Sequence, residues 1–342
     1  MKTPFNAKKY FKLQSAAIKE RLFKFSGKLY FEIGGKFIND EHAARVLPGF
    51  DAHVKVKIIK DLSVPFEIIF CISSKDIKEG RVWKNGETYE QTILRKLDEI
   101  SKIGFPKPFI VINLYEAEAK TVSFENLLAK KGYKLFRRYF IQDYPNNLKL
   151  IASKEGFGKD DYVKTSKKLI LVIGAGSQSG KMSTCLGQVY HDTLQGIDSG
   201  YAKYETFPIW NLPLEHPINL AYEAATADIG DFNVYDQYHE KAYKKKAVNY
   251  NRDVEAFPII KDILNRIISR NNYMRKYESP TDMGISNAGY CIEDDKAVRS
   301  AAIAEIKRRI NEYGELVKTG MGKKEWVARC EELLDKAVEK SK

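Results

Sequence analysis

The segment from Leu169 to Thr184 constrains this 342-residue chain more tightly than any other. Leu169-Ile170-Leu171-Val172-Ile173 is a continuous apolar run, the pattern of a strand covered on both faces. Gly174-Ala-Gly-Ser-Gln-Ser-Gly-Lys181 follows it directly, and apolar residues then recur at helical spacing at Met182, Leu186 and Val189. Buried strand, glycine turn and helix in that order predict an α/β fold, a mixed or parallel sheet with flanking helices. The same order gathers the free main-chain N–H groups of a helix start around one point, where the helix dipole favours an anion.

Gly174, Gly176, Ser177, Gln178, Ser179, Gly180, Lys181, Ser183 and Thr184 are therefore the candidate nucleotide-binding residues. Lys181 would bring an ammonium to the outer phosphates, and a hydroxyl farther along would reach a magnesium ion. The spacing departs from G-x-x-x-x-G-K-[ST], because three residues separate Gly176 from Gly180 and Met182 stands where the hydroxyl residue belongs. Ser183 or Thr184 would then take the metal role. ATP or another nucleotide, with Mg2+, is the cofactor set this reading expects; the alternative is a glycine turn that only joins strand to helix.

Around this P-loop-like element the first half alternates strands and helices. Expected strands are Leu29 to Ile33, Phe66 to Ile72, Phe109 to Leu114, Leu135 to Ile141 and Leu148 to Ala152. Expected helices run from about Lys8 to Phe25, from a Thr88 cap to Gly104, and from Ser123 to Lys131. The polar stretch Asp160 to Ser166 suggests a division into an α/β part, 1–160, and a part, 161–342, that opens with the P-loop-like strand and becomes mostly helical. Pro217 and Pro258 are placed as first-turn prolines of helices Ile218 to Ala227 and Ile259 to Ser269. Lys296 to Tyr313 and Lys324 to Lys340 carry helical apolar stripes, from which a homo-oligomer is expected.

Charge and cysteine usage narrow the function classes. A formal net charge of +12 would suit a polyanion. Apart from Lys244-Lys245-Lys246, however, the basic residues are interleaved with acids, and no nucleic-acid motif is present, so nucleic-acid binding is the minor reading. No apolar run approaches the length of a membrane helix, and Cys71, Cys185, Cys291 and Cys330 are scattered without zinc-ligand spacing. A cytoplasmic protein with no membrane partner is expected.

Long motifs then point to a family. They are Gly27-Lys-Leu-Tyr-Phe-Glu-Ile-Gly-Gly-Lys36, His42-Ala-Ala-Arg-Val-Leu-Pro-Gly-Phe-Asp51, Ser179-Gly-Lys-Met-Ser-Thr-Cys-Leu186, Tyr201 to Leu214, Leu220 to Asp228, Val248 to Glu255 and Ser279-Pro-Thr-Asp-Met-Gly284. Through them the chain resembles, from about Phe11 to about Ala337, a bacterial family recorded as domain of unknown function 1846. The resemblance implies a further C-terminal domain in other members that this chain lacks. It carries no activity with it.

Phosphoryl transfer needs cations, metal-holding carboxylates and a base or positioning group. Lys181, Arg252, Asp253 and Glu205 are the candidate catalytic residues, Asp253 as base or metal ligand. Glu32, His42, Arg45, Lys203, Asn249, Asn251 and Asp282 are the candidate substrate-binding residues. Ser183 and Asp228 are the candidate metal ligands. Glu32 ends an apolar strand, where a buried carboxylate must be paired. His42 and Arg45, one helical turn apart, could clamp an anion or form a surface ion pair. Asp236 and His239 read as a plain surface pair. The reading is a nucleotide-binding protein, expected to be a Mg-dependent ATP-using enzyme that acts on a small polar acceptor as a phosphotransferase or by activating it. A non-catalytic nucleotide or phosphometabolite sensor is the alternative, and a basic nucleic-acid-binding or structural protein the second.

Overall fold

A computed structural model describes residues 3–34, 36–83 and 85–340. Seven strands form one sheet in the order β4-β3-β2-β5-β1-β6-β9: β1 (Lys28–Ile33), β2 (Phe66–Ser73), β3 (Phe109–Asn113), β4 (Leu135–Arg137), β5 (Leu169–Gly174), β6 (Ser199–Tyr204) and β9 (Gly284–Ile285). All six neighbouring pairs are parallel. Two further strands, β7 (Asn233–Tyr235) and β8 (Val248–Tyr250), pair antiparallel outside it. Strands β1 and β5 sit at the centre with almost every side chain buried, which is why β5 reads as a continuous apolar run rather than an alternating one.

The chain order places the site. From β2 the chain moves outward through β3 to β4, returns to the middle as β5, and then moves the other way to β6 and β9. The connections leaving β2 and β5 thus diverge, and right-handed crossovers put their helices on opposite faces of the sheet. Where connections diverge, the carboxyl ends of the strands leave an open crevice, the usual ligand position in such sheets. The glycine loop leaves β5 at that point and enters the helix Lys181–Leu194. The sheet also draws strands from both sides of residue 160, with β5 inserted between β1 and β2.

Some elements differ from the sequence expectation. Leu148 to Ala152 is a single helical turn, Leu148–Ile151, because the Asn147 side chain accepts from the Leu150 N–H and caps it. β4 stops at Arg137. Pro258 lies inside a helix, Asn251–Ile267, instead of starting one. Its ring is on the solvent-exposed side while Val254, Phe257, Ile260 and Leu264 are buried, so the missing N–H falls on the wet face. Thr88 does cap its helix, in a capping box with Gln91.

The later helices pack on one another and on the first half. Pro217–Ala225, Asp295–Lys318 and Lys324–Glu339 make mutual contacts, and Asp295–Lys318 also touches the short helix Glu41–Val46. All four cysteines are buried thiols outside any disulfide. Among the described residues, no helix is long and apolar enough to cross a membrane.

Candidate functional site

Gly180 adopts φ +82° as the N-cap of the helix Lys181–Leu194, a left-handed conformation that glycine takes without a steric penalty. A Cβ there would also lie 2.6 Å from the Asn113 side chain. The loop is tied down through its carbonyls. Asn113 Nδ2 donates to Ser179 O at 2.8 Å, and Lys96 Nζ donates to Ala175 O at 2.7 Å. Its donors are left open: among the described residues, none of the main-chain N–H groups from Gly176 to Ser183 has a protein acceptor, and the next intrahelical bond is Thr184 N to Gly180 O at 2.9 Å. The eight amides from Gly176 to Ser183 thus have no protein partner among the described residues, the kind of open row with which helix starts can meet an anion. The Trp83 ring packs against Gly176 from one side.

Lys181 turns inward across the carboxyl ends of β5 and β1. Its Nζ lies 3.6 Å from Glu32 Oε1, with the lysine side chain 15% exposed. The other Glu32 oxygen accepts from Tyr201 OH at 2.8 Å, which satisfies the buried carboxylate that β1 carries at its end. One strand farther on, Lys203 of β6 pairs with Asp253 and, at 3.0 Å, with Glu205. Lys181, Glu32, Lys203, Glu205 and Asp253, drawn from four separate stretches of the chain, thus form one band over β5, β1 and β6.

Electrostatics in the band are strongly perturbed. Burial disfavours the charge on Lys203, yet the Asp253, Glu205 and Glu32 carboxylates hold its pKa well above the usual value. Glu205 is pushed up to about 7, chiefly by burial, with Asp253 adding to the rise and Lys203 opposing it. A carboxyl that titrates near neutrality suits proton transfer. It also links folding to pH: Glu205 keeps its proton in the fold between about 4.5 and about 7, where the unfolded chain has lost it. Stability from this group is complete below pH 4.5 and declines as the pH rises to about 7. Urea midpoints measured across that interval should fall with rising pH, and Glu205→Gln should flatten the decline; an unchanged slope in the variant would assign the effect elsewhere.

Two cavities meet at Glu205. One, of about 310 Å³, lies between the N-terminal helix Ala7–Phe23 and the β8, β9 region, and Asp253, Asn249 and Asp282 line it. The other, of about 160 Å³, is lined by Gly34, Lys55, Tyr222 and Arg309 among others. The glycine loop lines neither.

The remaining expected residues have other surroundings. Arg252 points away to Asp231 at 2.5 Å, half exposed, because neighbouring helical residues are turned about 100° from each other and Asp253 takes the inward direction. Asn251 accepts from the Phe232 N–H and braces the antiparallel β7–β8 pair. Asp282 closes a capping box with Ser279 and accepts from Tyr243 OH. His42 and Arg45 clamp an anion, but it is the buried carboxylate of Glu305, at 3.2 and 2.8 Å, shared with Arg308 and Arg309. Asp228 accepts from Tyr313 OH, on the helical side of the molecule. Asp236 caps the helix Gln237–Tyr243 and is buried, as is His239.

Ser183 is the sharpest departure. Its Oγ accepts from Arg138 Nη1 at 3.1 Å, and the same nitrogen reaches Thr184 Oγ1 at 3.3 Å and Asn113 Oδ1 at 3.1 Å. A buried guanidinium held by Asp160 at 2.8 Å occupies the side of the helix where a divalent cation would have to reach Ser183. Like charges disfavour that metal position. Among the described residues, no group of three His, Cys, Asp or Glu side chains is arranged to hold a metal.

Arg138, Asn113 and Lys96 were not legible as site residues, since each comes from a different strand or helix of the first half. A lysine within an amphipathic helix, as Lys96 is, reads as solvated surface. Only the apolar context of Asn113, at the end of the Phe109-Ile-Val-Ile run, offered a signal.

The fold is an open parallel α/β sheet with a glycine loop at its topological switch point. The chain belongs to the family described as domain of unknown function DUF1846, N-terminal, which matches residues 3–338. It is similar to the UPF0371 protein of Streptococcus equi subsp. zooepidemicus, 46% identical over 306 residues, which cover 89% of this chain and 61% of that one. The UPF0371 protein of Streptococcus pneumoniae serotype 2 is 45% identical over 309 residues, 90% of this chain and 62% of that protein. The chain spans a little over three fifths of the length of these curated relatives.

Proposed function

We propose that the protein binds the phosphates of a nucleotide at Gly176 to Lys181 and uses the Lys203, Glu205 and Asp253 group to act on a small polar acceptor, as an ATP-dependent phosphotransferase. The open row of main-chain N–H groups beside the inward-turned Lys181 carries the reading. Such a cradle stabilises negative charge without reorganising, and charge that develops on a transferred phosphoryl group is what a catalyst of this kind must meet. Glu205, titrating at about 7, supplies a base for the acceptor proton. Lys181 and Lys203 supply cations on either side of Glu32. Any Mg2+ would be held mainly by the phosphates and water, as this ion commonly is, because Ser183 faces Arg138.

Titration calorimetry with ATP and Mg2+, followed by incubation with γ-labelled ATP and a metabolite extract, tests both halves. Saturable binding with label transferred to an acceptor supports the enzyme. Binding with neither release nor transfer assigns the protein to the sensor class, and no binding removes the nucleotide altogether.

A further inference from the structure

We infer that the cleft of about 310 Å³ beside Glu205 binds a zwitterion of amino-acid size, with its carboxylate on Arg21 and its ammonium on Asp282. The inference goes beyond the nucleotide reading and needs no ligand on the glycine loop. Ligand sites run from ~300 to 1,000 Å³, so the cleft is at the small-metabolite end.

Two unmatched charges of opposite sign select the class. Arg21, in the last turn of the helix Ala7–Phe23, is half-buried. Its Nη1 donates to Tyr277 OH at 3.0 Å, and its guanidinium lies 5.9 and 5.3 Å from the Tyr273 and Tyr277 ring centres. Among the described residues no carboxylate pairs with Arg21, and its Nε and Nη2 have no acceptor. Those two nitrogens form the edge of the guanidinium that meets a carboxylate with parallel N–H bonds. Asp282, in the short helix Pro280–Met283, is also half-buried. It accepts from the Glu278 N–H at 2.8 Å, the Ser279 N–H at 3.0 Å and Tyr243 OH at 2.8 Å, and all three bonds end on Oδ2. Among the described residues, Oδ1 has no donor and no cation pairs with Asp282.

A ligand with one charge would meet one of these groups and leave the other unmatched in a part-buried site; a ligand with both charges compensates each. The other charges in the lining have partners. Glu20 pairs with Lys24 at 3.2 Å, and Asp253 and Glu205 share Lys203. Two carboxylates on one ammonium add negative potential to the cleft, which favours the ligand's cationic end. Ser286 Oγ, buried in the lining without a partner, offers a further polar contact. Trp210, fixed by its Nε1 donating to Ser286 O at 3.1 Å, and Tyr273 supply aromatic surface for the ligand's carbon atoms.

Titration calorimetry near neutral pH with the standard amino acids, and with 4-aminobutyrate for a wider charge spacing, tests the inference. Saturable binding of at least one member is expected. Its amide, which lacks the carboxylate, and its des-amino acid, which lacks the ammonium, should each bind the wild-type protein about tenfold or more weakly. The amino acid itself should lose as much on Arg21→Gln and on Asp282→Asn, and Arg21→Gln should no longer distinguish it from its amide. The blocked ligands probe the unaltered protein, so a variant that fails to fold does not decide the outcome. No binding across the panel, or binding undiminished by removing either charge, overturns the inference. None of these titrations contains a nucleotide, so failure of ATP to bind would sink the phosphotransferase reading alone.

Discussion

Lys181→Ala should weaken ATP binding about 10- to 100-fold, the range that ~1.5–3 kcal/mol for a hydrogen bond to a charged group implies. The ammonium sits at the first residue of the helix Lys181–Leu194, and its one ion-pair partner among the described residues is Glu32 at 3.6 Å, beyond hydrogen-bond length. A phosphate can therefore draw Lys181 across without losing a direct bond. The loop keeps its shape in the variant because Asn113 and Lys96 hold its carbonyls independently of Lys181. Titration calorimetry at fixed salt checks the prediction; an affinity equal to wild type removes Lys181 from the site and takes with it the main cationic contribution to the cradle. Lys181→Arg, which keeps the charge, should recover part of the loss.

Arg138→Met should cost about 3–5 kcal/mol of folding stability, the range for removing one partner of a buried ion pair. Arg138 and Asp160 are 6% and 5% exposed, and Nε and Nη2 of the arginine both reach Asp160 Oδ2, at 2.9 and 2.8 Å. Methionine fills much of the same space and strands the carboxylate. The third nitrogen spans Asn113, Ser183 and Thr184, so the variant also frees the first turn of the loop helix and the residue that grips Ser179 O. Urea unfolding should show the loss. Adding Asp160→Asn should return a good part of it, because most of the cost is an unpaired charge; a midpoint within error of wild type for Arg138→Met alone would show that the pair is not holding this corner.

Much of the fold was legible because its signals are local. β5 and β2 read as buried strands from apolar composition, Thr88 announced a helix cap, and the C-terminal stripes announced helices. Leu148 to Ala152 was misread for the reason short apolar runs generally are: five residues cannot distinguish a strand from a helical turn, and the Asn147 cap decided it. Pro258 misled because a proline is admitted inside a helix when its missing N–H faces water, a property of the neighbours rather than of the dipeptide.

The candidate site divides the same way. Glu32, Lys181, Lys203, Glu205 and Asp253 were each selected by residue type and local setting, and the sheet order brought them into one band. One helical turn between His42 and Arg45 leaves a ligand clamp and a surface ion pair both open, and the structure gives them a buried carboxylate, Glu305, 260 residues or more away along the chain. The spacing from Lys181 favours Ser183 as a metal ligand, but the guanidinium of Arg138, just past β4, donates to it instead.

By itself the sequence determined the glycine loop, its position between a buried strand and a helix, and the set of charged residue types available to it, since backbone conformation and periodicity depend on near neighbours. Only the tertiary structure decided which of those charges face the loop, which neutralise one another, and which cleft Glu205 borders. Those outcomes follow from β5 returning to the middle of the sheet between β1 and β2, and Coulomb and hydrogen-bond energies depend on distances in space that the linear order of residues does not contain.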